Sequence, residues 1–364
     1  MRTEIILDMK ERYYCFLAKN SICIMAMLLI MASCNERDFA EECVRSSIME
    51  FDAQYPVLAR ATDSGFANGD CMGVYVVDYV GDEPTSLNGS ALRAGNMSLT
   101  YNEGKDKWES GKTLYWKDKN TAVDVMGYYP YIEDIDNPTA HEFKIDTRQD
   151  RVSTDKYKGG YEVSDMLWAK TVKALPKNGS IDLKFKHIMA GVTIVLESGE
   201  GFGYYEWSTL QKNVVVNNAA TTTTINLETG YVEPASEGDA SIFTMPYANS
   251  FRAVVVPKTY EEGSDILTIS IGDRSYKFRK DEKITLESGK MHKFTIKVDK
   301  NQDSGDYVFT LMDESISLWI DDDEFHEGIV RQYLVVNVEK PGTFSATLKK
   351  CGVDYREVRS LKVT

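Results

Sequence analysis

Beyond residue 70 the chain is written in short runs of Val, Ile, Thr, Tyr and Phe, each closed by Gly, Asn, Asp or Pro. The clearest are MGVYVVDYV (72–80), AVDVMGYYPY (122–131), IDLKFKHIMAGVTIVLE (181–197), FRAVVVPKTY (251–260), ILTISIG (266–272) and YKFRKDEKITLESGKMHKFTIKV (276–298). Alternation at period two, or an unbroken apolar stretch of strand length, fits a pleated surface buried on one face or both. Such side chains lose freedom in a helix and pack well on a sheet. Past the N-terminal segment no run keeps helical periodicity, apart from short turns expected near 154–160 and 207–213. Strand–helix–strand alternation is missing, which disfavours doubly wound and TIM-type folds. The expectation is all-β, and 364 residues suffice for two β-sandwiches in tandem. Their join is placed at PKNGS (176–180), a turn-rich break before the 181–197 stretch, which reads as a long strand pair.

At the N-terminus, Lys10, Arg12 and Lys19 precede a 13-residue apolar run, SICIMAMLLIMAS (21–33). A bilayer takes about 20 residues to span. A basic region, a short apolar region and small residues before a cut make a secretory signal peptide instead, over residues 1–33. Translation from Met9 would give it a more ordinary basic region. The apolar run stops at Cys34, and Glu36, Asp38, Glu41 and Glu42 follow at once. Met-Ala-Ser-Cys resembles the lipobox of bacterial lipoproteins, with Met31 where Leu is usual. The resemblance implies cleavage before Cys34 and lipidation of its thiol. A diacylated cysteine with a further N-acyl chain anchors stably, as one acyl chain does not. The acidic residues resemble the export signal that sends lipoproteins of Bacteroidota to the outer face of the outer membrane; a polar tether is the simpler explanation.

Of six cysteines, Cys15 and Cys23 fall inside the signal. Beside Cys34 this leaves Cys43, Cys71 and Cys351, which form no CxxC pair and no disulfide framework. His141, His187, His292 and His326 stand apart from them and from one another, so no metal site is expected. Net charge is −14, from 42 basic and 56 acidic residues. Without basic clusters to neutralise phosphates, a nucleic-acid partner is excluded.

No GxSxG elbow, Walker loop, GxGxxG after a strand or HExxH is present, so neither an enzyme nor a cofactor is expected. Asp321-Asp322-Asp323-Glu324 lacks the ligand spacing and glycine of a calcium loop and reads as a solvated charge run. Asn68-Gly69-Asp70 reads as a tight turn between strands. His187, in FKHIM, reads as a packed or hydrogen-bonded histidine rather than a general base. Tyr115-Trp116 and Tyr128-Tyr129-Pro130-Tyr131 could stack on sugars, but sandwich cores are rich in aromatics and core packing is the better reading.

Seven stretches, in order, resemble the fimbrillin family of Gram-negative gut and oral bacteria. They are ARATDSGFANGDCMGVY (59–75), NMSLTYNEGKDKWESGKTLYWKDKNTAVDVMGYYPY (96–131), SDMLWAK (164–170), IDLKFKHIMAGVTIVLE (181–197), TTTTINLETGYV (221–232), FTMPYANSFRAVVVPKTY (243–260) and YKFRKDEKITLESGKMHKFTIKV (276–298). The resemblance implies two transthyretin-like β-sandwich domains and secretion as a lipoprotein. It also implies a non-catalytic role in adhesion as a subunit (structural, tip or anchor) of a type V pilus. In such pilins a trypsin-like protease cuts after an arginine, the first strand leaves, and a strand of another subunit fills the groove. The physical logic is β-augmentation, main-chain bonds giving affinity and alternate side-chain pockets giving specificity. Arg60, in PVLARATDS, is the candidate cut, with SSIMEF (46–51) and YPVLA (55–59) as pieces of the removable strand. The partners implied are other fimbrillin subunits by strand exchange and the outer membrane through the lipid anchor. A host protein or glycan is a further candidate ligand, and the implied location is the cell surface or the fimbrium.

The expected division is then 1–33 signal, 34–60 tether and removable strand, 61–177 and 178–298 sandwiches, and 299–364 linker plus C-terminal β extension. DKNQDSGD (299–306) reads as the linker. VNVEKPGTF (336–344) followed by SLKVT (360–364) resembles the lead-in of bacterial surface leucine-rich-repeat proteins. A repeat array needs several units to bury its core. The alternative function is therefore a non-polymerising surface lipoprotein that binds glycan or host protein, a truncated member of a longer repeat protein.

Overall fold

The computed structural model describes residues 48–56, 65–89, 92–154, 158–203 and 205–319, all within one compact unit that spans Met1–Asp322. The first half contains β1 (Phe51–Gln54), β2 (Cys71–Val80), β3 (Glu83–Pro84), β4 (Leu92–Asn102), β5 (Lys107–Ser110), β6 (Val123–Tyr129), β7 (His141–Lys144), the short helix α1 (Gly160–Ser164), β8 (Leu167–Ala174), β9 (Ile181–Lys184) and β10 (Lys186–His187). Its main sheet runs β10-β8-β6-β2-β4-β5, with β3 against β2. Every pairing in it is antiparallel. Parallel β1 and β9 form a second, smaller layer.

Met72, Val74 and Val76 of β2 line the space between these layers with Val123, Val125, Leu167 and Ala169, against Phe51, Ile181 and Leu183. Tyr75, Val77, Met126, Tyr128 and Trp168 leave the opposite face of the same sheet and enter the larger core shared with the second half. With both faces covered, all seven residues of β6, VDVMGYY, are buried. A strand in that position shows no alternation, because neither face meets water.

The second half contains β11 (Ala190–Ser198), α2 (Glu206–Thr209), β12 (Lys212–Ala219), β13 (Thr222–Asn226), β14 (Tyr231–Val232), β15 (Ala240–Phe243), β16 (Met245–Tyr247), β17 (Ser250–Val255), β18 (Lys258–Tyr260), β19 (Asp265–Ile271), β20 (Arg274–Arg279), β21 (Ile284–Leu286), β22 (Lys290–Lys300) and β23 (Tyr307–Leu318). One sheet is β16-β17-β11-β22-β23, the other β15-β12-β19-β20. Val192, Ile194, Phe294, Ile296 and Val298 from the first belong to one core with Val214, Val216, Leu267, Ile269 and Ile271 from the second. The halves are stitched together where β7 pairs with β13, Phe143 opposite Thr223. The fold is an all-β, sandwich-type architecture. Among the described residues no helix is long and apolar enough to cross a membrane.

Two expectations need correction. The 181–197 stretch is not one long strand pair but three strands in three sheets: β9 joins β1, β10 joins β8, and β11 joins β17 and β22. Phe185, Ile188 and Met189 sit at the crossings and are themselves buried, so hydropathy carries no mark of the breaks. Residues 299–306 are not a linker but the end of β22 and a hairpin turn. Asn301 Oδ1 accepts the Asp303 and Ser304 N–H groups at 2.9 and 3.2 Å, and Gly305 supplies φ +71°. The chain returns as β23, antiparallel to β22 from Tyr307↔Lys300 to Leu318↔Lys290.

Candidate functional site at the N-terminal strand

Residues 48–54 are bonded along both sides. Ile48 bridges Tyr115, and Met49 N–H donates to the Leu114 carbonyl at 2.8 Å. On the other side, Ile181 N–H donates to Glu50 O at 2.8 Å and Phe185 N–H to Gln54 O at 3.0 Å. Phe51 and Ala53 stand beside Ile181 and Leu183 in register. Side chains add little, since the Gln54–Asp182 contact at 2.9 Å and the Glu50–Lys107 pair at 3.7 Å are both exposed. Apolar burial does more: Met49 and Phe51 are 4% and 5% exposed, in a core with Trp108, Trp116, Ile181, Leu183 and Phe185. Burying a side chain of this size is worth about 1.5–3 kcal/mol. The bed beneath β1 is a groove shaped for an extended strand with two large apolar side chains.

Phe66 is the hub at the end of this groove. Its ring meets Tyr55 at 5.2 Å, Trp108 at 4.8 Å, Tyr129 at 5.3 Å and Phe185 at 5.7 Å, all edge-on. Burial pushes the Tyr129 hydroxyl well above the ordinary tyrosine range, and the Asp70 charge adds to it. Lys158 lies over the Tyr129 ring at 4.5 Å, donates to its hydroxyl and pairs with Asp70 at 2.5 Å. Tyr55 and Phe66 therefore pin the chain on either side of residues 57–64. Sequence reasoning missed Phe66, which sits in SGFAN with no apolar neighbour pattern to mark it.

The predicted processing residues Cys34 and Arg60, and the acidic run at 321–324, lie outside the described residues. The upstream pieces are met in part. Ile48, Met49 and Phe51 from 46–51, together with Ala53, occupy the groove, and Tyr55 reaches the aromatic hub. Asn68-Gly69-Asp70 is the expected tight turn, with Asp70 N–H donating to Ala67 O at 3.0 Å and Gly69 at φ +88°. His187 is a packed, hydrogen-bonded histidine, 2% exposed with Nδ1 2.8 Å from Asp165. Trp116, Tyr128 and Tyr129 are buried as expected, whereas Tyr115 is 51% exposed. Among the described residues no group of three His, Cys, Asp or Glu side chains could hold a metal ion.

At the other end of the described chain, β23 forms an edge of its sheet. Tyr307, Phe309 and Leu311 pack inward, and Val308, Met312, Ile316 and Leu318 are exposed. Edge strands of this kind are ready templates for a further strand. Lys280 pairs with Glu314, and Arg274 pairs with Asp306 at 2.6 Å.

The chain resembles known proteins in the same terms. Among solved structures, a candidate cell adhesion protein from Bacteroides uniformis covers 75% of this chain and 98% of its own, with 16% identity and a TM-score of 0.53. Another from Bacteroides ovatus covers 75% and 97%, with 16% identity and a TM-score of 0.52. At that identity the likeness speaks for the fold. No curated protein sequence matches the chain. The profile of the fimbrillin-like family matches residues 59–311, well over half of the sequence, from beside Arg60 into β23. The chain belongs to the fimbrillin-like family.

Proposed function

We propose that this chain is a non-catalytic surface lipoprotein, anchored through Cys34, that serves as a subunit of a type V pilus in adhesion and is assembled by strand exchange. The observation that carries the reading is the seating of residues 48–54. They lie upstream of Arg60, are bonded on both flanks, and fill an apolar groove with Met49 and Phe51. A cut after Arg60 frees this strand from the rest of the chain. Its departure opens an apolar groove that another subunit's extended segment can fill. The functional division follows the cut, with 34–60 as tether and leader.

The test is proteolysis of the full chain beside an Arg60→Ala variant. A trypsin-like protease should give ladders resistant to SDS with the native chain and none with the variant. A native chain cut cleanly after Arg60 that remains monomeric rejects the pilin reading and leaves a stand-alone surface module. Separately, a Cys34→Ala variant that still takes up labelled fatty acid rejects the anchor.

A further inference from the structure

A polar cleft of about 480 Å³ opens where β2 and β8 end beside the 118–122 loop, lined by Tyr79, Asp82, Asp118, Asn120, Thr121 and Lys173. That volume lies within the range of about 300–1,000 Å³ usual for small-molecule sites. Its walls are fixed from below by Asp124, a carboxylate only 2% exposed. Asp124 Oδ1 accepts from the Tyr79 hydroxyl and from Lys173 N–H, both at 2.9 Å, and Lys170 Nζ lies 3.4 Å from Oδ2. These bonds hold Lys173 in the left-handed region at φ +51°, which a residue with a Cβ adopts only when its surroundings demand it. Its ammonium comes to rest 5.6 Å from the Tyr79 ring centroid. Asp118 holds the opposite wall, accepting from Asn120 and Thr121 N–H at 2.7 Å and from Thr121 Oγ1 at 2.6 Å. Those bonds draw its carboxyl down to about 2, so it stays ionised.

The cleft thus sets donors, the Lys173 ammonium and the Asn120 amide, among acceptors, the Asp82 and Asp118 carboxylates. The aromatic ring of Tyr79 lies beside them. Two carboxylates against one ammonium disfavour an anionic ligand. A cationic peptide would satisfy the carboxylates but bring like charge against Lys173. Hydroxyl groups donate and accept together, and the C–H face of a pyranose suits the Tyr79 ring. We propose that this cleft binds a neutral glycan. No lining residue lies in 48–60 or in β23, so the inference does not depend on polymerisation.

The experiment is calorimetric titration of the full chain with lactose, maltose, cellobiose and mannobiose, beside sialyllactose and oligolysine. One or more of the neutral sugars should bind. Lys173→Gly suits the left-handed backbone and keeps the N–H to Asp124 while removing the ammonium. Asn120→Ala keeps the N–H to Asp118 while removing the amide. Each should weaken the sugar about tenfold, the scale of one lost hydrogen bond, with Tm unchanged. Three results overturn the proposal: no neutral sugar binds, only sialyllactose or oligolysine binds, or both variants bind the sugar as tightly as the native chain does.

Discussion

The imidazole of His187 lies flat against the indole of Trp319, ring centroids 4.1 Å apart and planes 1° from parallel. His187 belongs to β10, at one edge of the first half's main sheet, and Trp319 follows β23 directly. The stack therefore ties the end of the last described strand to the first half. Tyr55, just past β1, meets the same imidazole edge-on at 6.5 Å. Trp319 is 4% exposed, its backbone N–H donates to Gly289 O at 2.9 Å, and its ring packs where any side chain on Gly191 would have to go. Trp319→Ala should cost about 3–5 kcal/mol by urea unfolding, the range for emptying a buried aromatic site. Trp319→Phe, which keeps a ring over the imidazole, should cost clearly less. Equal losses in the two variants would mean that the ring stack adds nothing.

Gly73, in the middle of β2, marks a close approach rather than a turn. A Cβ at that position would run into the Tyr128 ring. Tyr128 cannot step aside, since it is 1% exposed, its hydroxyl donates to Ile132 O at 3.0 Å, and it also bonds Asn96 Oδ1. Overpacking of this kind costs about 1–3 kcal/mol or more. Gly73→Ala should therefore lower the urea midpoint, and adding Tyr128→Phe should not rescue it, because the ring remains. Removing the ring in Gly73→Ala/Tyr128→Leu should recover part of the loss, and a double variant no better than the single would reject the clash.

What the sequence made legible follows from how each element is solvated. Strands with a distinct apolar pattern between turn residues, β2, β6 and β19, are found within a residue or two of the expected runs, whereas the 251–260 run divides at Pro257 into β17 and β18. The 181–197 stretch defeats the same reasoning because Lys184 and Lys186 continue the strand alternation across Phe185, and Ile188 and Met189 are buried at the next crossing, so nothing in the pattern announces a change of sheet. β1 was legible only as a piece of a removable strand. Its four residues, FDAQ, hold one large apolar side chain, and its partner β9 lies 130 positions away, Phe51 against Ile181. The polar cleft left no trace in the sequence, because Tyr79, Asp118 and Lys173 are brought together by the ends of strands far apart in the chain.

His292 gives a pH dependence with a definite sign. Its ring is fully buried on β22, and Nε2 accepts the Glu287 N–H at 2.9 Å, which fixes the neutral tautomer. Burial holds its pKa below the ordinary histidine value; Glu287 and Glu314 oppose the shift and Lys290 adds to it. A folded-state pKa below the unfolded one means that the unfolded chain takes up the proton more readily. The stability present above the ordinary histidine range is then lost as pH falls through the folded value. Thermal unfolding between pH 7.5 and 5.5 should show a falling Tm, with a shallower fall in His292→Gln, which retains an acceptor for Glu287. His141, also held low by burial, leaves a residual slope. Identical slopes in variant and native chain would remove His292 as the cause.

The seating of Phe51 sets how firmly the leader is held once it is cut. Its ring is 5% exposed among Ile181, Leu183 and the two tryptophans of the groove, whereas the neighbouring Glu50 reaches only an exposed lysine at 3.7 Å. Phe51→Ala should cost about 3–5 kcal/mol, while Glu50→Ala should stay within about 0.5 kcal/mol, as exposed ion pairs do. After cleavage at Arg60 the same difference governs retention of the fragment. A loss of about 3 kcal/mol weakens binding more than a hundredfold. On size exclusion of the cleaved protein, the native and Glu50→Ala leaders should leave the body slowly and at the same rate, giving way to another subunit's strand, and the Phe51→Ala leader should leave much faster. If all three leaders leave together, Phe51 does not hold the strand in its groove, and the main-chain bonds to Leu114, Ile181 and Phe185 are too weak to hold it alone.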